Sequence, residues 1–206
     1  LHIGIFGKTN SGKSAFINAF SGQAVSIVAD VKGTTTDPVY KAMEIAPLGP
    51  CVLIDTAGFD DEGELGAMRM EKTALAAQKT ELALILFASE DMETELEWFR
   101  YFQEKKTPVI PVVSKSDLRS EKENQTFAEK LREQTKEKVC IVSAKTGVGI
   151  AELKERMIRM VPEGFGSRTI TGDLVSEGDV VLLVMPQDIQ APKGRLILPQ
   201  VQTMRE

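Results

Sequence analysis

The sequence predicts an α/β fold, a mostly parallel six-stranded sheet with helices on both faces, followed by part of a second small α/β domain. Three observations carry that expectation. Short apolar runs alternate with longer amphipathic stretches, the pattern of strands joined by crossover helices. Three of the runs (LALILFA, VIPVV and VCIV) are almost wholly apolar, as strands covered on both faces require. And 206 residues, 42% apolar and 27% charged, suffice to bury such a core without disulfide or metal staples.

In chain order, strands are expected at His2–Phe6, Val39–Ile45, Cys51–Asp55, Leu82–Ala88, Val109–Ser114 and Val139–Ser143. Helices are expected between them at Lys13–Phe20, Met68–Lys79, Glu93–Lys105, Asn124–Lys136 and Gly149–Met160. The last places Ile150, Leu153, Met157 and Val161 on one stripe, which reads as core packing. Pro162 cannot continue it, and PEGFGS reads as a linker. The expected units are a first domain over 1–161, a linker over 162–168 and the start of a second domain over 169–206. That second stretch carries strand-like runs (VVLLV, LIL) and is too small to hold a core alone. It would have to pair with its own continuation or with a second copy, so a homodimer is expected. The opening LHIGIF without an initiator methionine reads as the inside of a longer protein.

The net charge of −5 argues against a nucleic-acid footprint, and no apolar run reaches membrane-spanning length. Cys51 and Cys140 both lie inside apolar runs, which reads as two buried thiols in a reducing, cytoplasmic compartment. With the single His2 they do not make a ligand set for a metal or cluster.

The chemistry sits in four short motifs. Gly7-Lys8-Thr9-Asn10-Ser11-Gly12-Lys13-Ser14 follows a strand and opens a helix, so its backbone N–H groups and the helix N-terminus can cradle phosphates. Gly7, Asn10, Ser11, Gly12, Lys13, Ser14 and Ala15 form that candidate cradle. Lys13 would reach the β- and γ-phosphates, and the Ser14 hydroxyl would bind Mg²⁺. Asp55-Thr56-Ala57-Gly58 ends another apolar run. There Asp55 can hold Mg²⁺ through water, and the Gly58 N–H can sense the γ-phosphate. Asp117, after Ser114 and Lys115, can accept two hydrogen bonds from the guanine edge, which adenine cannot supply. In Ser143-Ala144-Lys145 a backbone N–H would meet the guanine O6. All four motifs fall at carboxyl ends of strands, where doubly wound sheets bind ligands.

In this order the motifs over residues 1 to about 161 resemble those of Ras-like P-loop GTPases. With Asn10 in the phosphate loop and GTTTD at Gly33–Asp37, they resemble the TrmE–Era branch. The resemblance implies GTP and GDP as ligands, with Mg²⁺. It also implies a switch I threonine that closes on the metal, Thr35 first and Thr34 next, with Thr36 a solvated loop residue. Two departures stand out. The guanine motif usually opens with Asn and here opens with Ser114, which can supply some of the lost hydrogen bonding; weaker nucleotide affinity, a gain on Ser114→Asn and guanine selectivity kept by Asp117 are implied. Phe59 stands where many GTPases carry a water-orienting Gln, which implies slow intrinsic hydrolysis. The branch implies two substitutes. One is a K⁺ ion held by Asn10 and carbonyls near Ala29–Val31. The other is a switch II carboxylate among Asp60, Asp61, Glu62 and Glu64, of which Glu64 is preferred.

The stretches LGPCVLIDTAGFDDEGELG and GDLVSEGDVVLLVMPQDIQAPKGRLILPQVQ further resemble the [FeFe]-hydrogenase maturation GTPases. That family implies a role in scaffolding a diiron precursor and delivering it to the hydrogenase, with radical maturation enzymes as partners. It also implies a [4Fe–4S] cluster held by a C-terminal domain whose cysteines do not occur in these residues. Two other readings stay open: a GTPase of the same branch in tRNA modification or ribosome assembly, and a nucleotide-binding scaffold whose hydrolysis is incidental. The first would want a basic appendage, and the tail offers Lys193, Arg195 and Arg205.

Overall fold

A computed structural model describes residues 1–23, 29–31, 39–45, 47–56, 58 and 64–161, together with 179, 180 and 182. The strands are β1 (His2–Phe6), β2 (Ala29–Val31), β3 (Val39–Ile45), β4 (Gly49–Asp55), β5 (Leu82–Phe87), β6 (Val109–Val113) and β7 (Cys140–Ile141). The helices are α1 (Lys13–Gln23), α2 (Glu64–Lys79), α3 (Glu93–Glu104), α4 (Glu121–Thr135) and α5 (Ile150–Met160). They form one sheet in the order β2-β3-β4-β1-β5-β6-β7. β1 pairs in parallel with β4 and β5, and the parallel run continues through β6 to β7. β3 runs antiparallel to β4. The expected mostly parallel sheet is present, and the three-residue β2 adds a seventh strand antiparallel to β3. The order reverses at β1, whose carboxyl end is therefore a switch point open to a ligand.

The pleat of the central strands feeds two cores. Leu82, Leu84 and Leu86 join Ile3, Ile5, Phe16, Ile17, Leu153 and Met157 on one face. Ala83, Ile85 and Phe87 join Phe6, Trp98, Phe99, Phe102, Phe127 and Leu131 on the other. Every β5 residue is buried, which is what its unbroken apolar run anticipated. Phe6, the last residue of β1, stacks on Trp98 of α3 at 5.7 Å between ring centroids. Both cysteines are buried free thiols.

Element ends moved where local hydrogen bonding overrode periodicity. α4 begins at Glu121, three residues before the expected start, because Ser120 and Glu123 form a reciprocal capping box. The Glu123 N–H donates to Ser120 Oγ, and the Ser120 N–H donates to the Glu123 carboxylate. β7 stops at Ile141 rather than Ser143, because the Ser143 N–H turns aside to the Val148 carbonyl at 3.0 Å. α2 is helical from Glu64, a turn before its apolar stripe starts at Met68. The linker, the second-domain stretch 169–206 apart from the three residues named, and switch I around Thr34–Thr36 lie outside the described residues. No helix among the described residues is long and apolar enough to cross a membrane.

Candidate functional site

The loop after β1 is shaped by backbone that few side chains permit. Gly12 has φ of 96° and Asn10 has φ of 60°, so the loop folds back over its own start. A Cβ on Gly7 would stand 2.5 Å from Ser11 Oγ and 2.9 Å from the Leu86 carbonyl oxygen, which leaves room for hydrogen only. Lys13, the first residue of α1, is buried and folds back across the loop. Its Nζ donates to the Gly7 carbonyl at 2.8 Å and to the Lys8 carbonyl at 2.9 Å. Ser14 and Ala15 follow on the exposed start of the helix.

Asp55 ends β4 beside this helix, and Ser14 Oγ donates to its Oδ2 at 2.7 Å. Burial raises the Asp55 pKa, while the Ser14 hydroxyl and the Lys13 and Lys41 cations oppose that rise. A hydroxyl and a carboxylate thus share one point at the loop's mouth, two oxygen donors of the kind a small hard cation takes alongside water and phosphate. Gly58 lies directly against the loop. A Cβ there would stand 2.6 Å from the Thr9 nitrogen and 2.7 Å from its Cα, and would strike Thr9 Oγ1.

The base-recognition segment follows β6. Ser114 is buried, and its hydroxyl donates to the Ser11 carbonyl at 2.8 Å. Its hydrogen bonding therefore ties this segment to the phosphate loop. Lys115 turns the chain with φ of 54° and lays its aliphatic stem 3.7 Å from where a Gly12 Cβ would stand. Asp117 then accepts from Ser143 Oγ at 2.6 Å. That hydrogen bond holds its carboxyl below the usual carboxylate range. The Ser143 N–H is committed to Val148, so the donor expected in Ser143-Ala144-Lys145 falls to Ala144 or Lys145. A cavity of about 210 Å³ lies among Ser11, Ala15, Ser114, Lys115, Asp117 and Lys145.

Two residues escaped the sequence reading. The Arg119 guanidinium donates to the carbonyls of Ser114 at 2.5 Å and Ala88 at 2.9 Å, and to Asn124 Oδ1 at 3.0 Å. Asn124 Nδ2 donates back to the Ser116 carbonyl at 2.8 Å. Together they hold the 114–119 segment from behind. Arg after S-K-S-D-L carries no motif, so only the folded neighbourhood exposes it.

The structure brings together Gly7, Asn10, Ser11, Gly12, Lys13, Ser14, Asp55 and Gly58 around one loop, and Ser114, Lys115, Asp117, Ser143, Ala144 and Lys145 beside it. Thr34, Thr35, Thr36, Phe59, Asp60, Asp61 and Glu62 lie outside the described residues, and of Glu64 the backbone alone is described.

A phosphate loop and a guanine-type segment on the carboxyl edge of a doubly wound sheet define a P-loop GTPase. Residues 2–115 match the family model described as 50S ribosome-binding GTPase, and the chain belongs to that family. Residues 170–206 match the Hydrogen maturase F dimerization domain. The tRNA modification GTPase MnmE of Endomicrobium trichonymphae is 32% identical over 162 residues, covering 76% of this chain and 34% of its own length. GTPase Der of Wolinella succinogenes is 33% identical over 186 residues, 84% of this chain and 38% of its own. The chain thus spans about a third of these relatives. A crystal structure of Aquifex aeolicus Era bound to GDP·AlF4⁻ superposes with a TM-score of 0.66 at 23% identity, over 79% of this chain and 57% of that one. The G domain of the T. maritima FeoB iron transporter gives 0.57 at 21% identity, over 78% and 98%. The chain is a GTPase of TrmE/Era type.

Proposed function

We propose that this chain is the GTP-binding and GTP-hydrolysing part of a hydrogenase maturation factor that scaffolds a diiron precursor and delivers it to [FeFe]-hydrogenase. The observation that carries the proposal is the pairing of a TrmE/Era-type domain with a stretch matching the hydrogen maturase dimerization domain. MnmE and Der share the first half of that pairing, and their likeness supports the nucleotide chemistry alone.

In this reading the loop N–H groups and Lys13 hold the phosphates of GTP or GDP. Asp117 accepts from guanine, the N–H of Ala144 or Lys145 meets O6, and the Gly58 N–H follows the γ-phosphate. Ser14, Thr35 and Asp55 (the last through water) would hold Mg²⁺, which would supply positive charge against the charge developing on the phosphates. The Ser14–Asp55 contact at 2.7 Å supports that assignment. Phe59 cannot orient the attacking water, so that task falls to Glu64. The exposed Asn10 and carbonyls near Ala29–Val31 would hold a K⁺ ion, which would supply fixed charge where an arginine finger otherwise would.

The dimerization match further supports a homodimer through 169–206. A chain ending near Val161 should then be a monomer that binds GTP, while the longer protein scatters light as a dimer; a monomer at tens of micromolar removes this part. The radical maturation enzymes and the hydrogenase are the partners in this reading, in a cytoplasmic setting, and the [4Fe–4S] cluster belongs to a separate C-terminal domain. The whole proposal is tested by deleting the gene in a host with an [FeFe]-hydrogenase. Loss of hydrogen evolution, restored by the wild-type gene and not by Lys13→Ala, is expected. Normal hydrogen evolution with altered tRNA modification would overturn it in favour of the tRNA-modification reading.

A further inference from the structure

The phosphate loop is tied to α3 by a buried charge that none of the nucleotide motifs contains. Lys8 is the first variable residue of the loop. Its Nζ donates to the Asp91 carbonyl at 2.8 Å, pairs with the Asp91 carboxylate at 2.8 Å, and lies 3.5 Å from Glu95 Oε2. The two acids are not equivalent. Asp91 is 77% exposed, so water and salt screen its pair with Lys8. Glu95 is 2% exposed, and its Oε2 has no hydrogen-bond donor among the described residues. Burying a carboxylate is costly unless a cation stands beside it, and Lys8 is the cation it faces.

The other end of Lys8 is equally engaged. Its carbonyl, with that of Gly7, accepts from Lys13 Nζ. One residue therefore links α3 through its side chain to the phosphate-contacting lysine through its backbone. A loop containing Gly7 and Gly12 has much conformational freedom to lose, and an anchor at its second residue reduces what remains to be ordered when phosphate arrives. We propose that Glu95 is a positioning residue for nucleotide binding, holding the first half of the phosphate loop in its binding shape through the ion pair with Lys8. The proposal rests on the reading of this loop as the phosphate site.

The test compares the release of fluorescent N-methylanthraniloyl-GDP from wild type, Glu95→Gln, Lys8→Met, the double variant, Lys8→Arg and Lys13→Ala, each with its thermal midpoint. Glu95→Gln keeps the side-chain shape without the charge, so it remains informative if Lys8→Met folds poorly. Each single variant should release nucleotide roughly tenfold faster, the factor that corresponds to about 1.4 kcal/mol. The double variant should be no faster than either single, because both remove one interaction. Lys8→Arg, which keeps the charge, should stay within about threefold of wild type, on the scale where about 1.4 kcal/mol is tenfold. Release within twofold of wild type in Glu95→Gln, whatever its melting point, overturns the proposal, as do multiplicative effects in the double variant. If Lys13→Ala binds as wild type does, the phosphate-site reading itself has failed. If Lys13→Ala loses binding while Glu95→Gln is unaffected, only the positioning role has failed.

Discussion

Ser114 offers the sharpest check on how the base segment is built, because its hydroxyl has a fitted acceptor across the site. Its hydroxyl reaches the Ser11 carbonyl at 2.8 Å in a pocket where Ser114 is 3% exposed and Ser11 is 1% exposed. Ser114→Ala deletes one neutral hydrogen bond and leaves the Ser11 carbonyl without that donor. The bond itself contributes about 1 kcal/mol, and the orphaned acceptor brings the loss to about 2 kcal/mol. For a domain of this size that lowers Tm by about 4–8 °C. Where the loops must be re-ordered on binding, the same 2 kcal/mol weakens GDP affinity by up to about 30-fold. Ser114→Asn restores the residue usual in the guanine motif, yet it adds atoms where Ser114 already has its acceptor and packs beside the Phe87 carbonyl at 3.4 Å. Overpacking of that kind costs about 1–3 kcal/mol. Thermal melts with and without GDP, paired with fluorescence titration of labelled GDP, read both effects. Tighter binding by Ser114→Asn, or a neutral Ser114→Ala in both assays, would refute this account of the pocket.

Asp117→Asn should weaken GTP and favour xanthosine triphosphate, with a loss of about 1–3 kcal/mol for the unmade base-edge hydrogen bond; isothermal titration with both nucleotides checks it, and unchanged GTP affinity would remove Asp117 from the base site. Exchanging K⁺ for Na⁺ at equal ionic strength should slow single-turnover hydrolysis several-fold with little change in affinity, and Asn10→Ala should abolish the difference. Equal rates in the two salts would exclude the ion. The Cys51 thiol is pushed up to about 11, chiefly by burial, and burial also raises Cys140. At pH 8 only about one Cys51 in a thousand is thiolate. Both cysteines should therefore resist iodoacetamide in the folded protein, with labelling rising as pH climbs toward 11 or as the protein unfolds. Rapid labelling at neutral pH would show that these thiols are open to solvent.

The parts of this fold that were legible in the sequence are those in which one physical rule acts alone. β1 and β5 are written in apolar runs that stop at Gly7 and just before Ser89-Glu90, and α5 is written in its stripe of Ile150, Leu153 and Met157. The phosphate loop is legible because its spacing is its mechanism. Harder to see were features in which two distant segments share one atom. The acceptor of the Ser114 hydroxyl could not be named from the sequence, because Ser11 is 103 residues away. Arg119 and Asn124 were missed because they support backbone carbonyls rather than form a motif. β2 escaped because three residues show no periodicity and gain their pairing only from β3.

The stacking of Phe6 on Trp98 makes the protein its own optical instrument. Trp98 is the single tryptophan of the chain, so its emission is unmixed with that of any other indole. It sits one turn beyond Glu95 on α3, is largely buried, and faces the residue immediately before Gly7. Any displacement of the phosphate loop that tugs on β1 or on α3 alters the indole's surroundings and hence its spectrum. Nucleotide arrival can thus be followed in stopped flow on the unlabelled protein, at natural sequence, and free of the bulk that a fluorescent sugar tag adds to GDP.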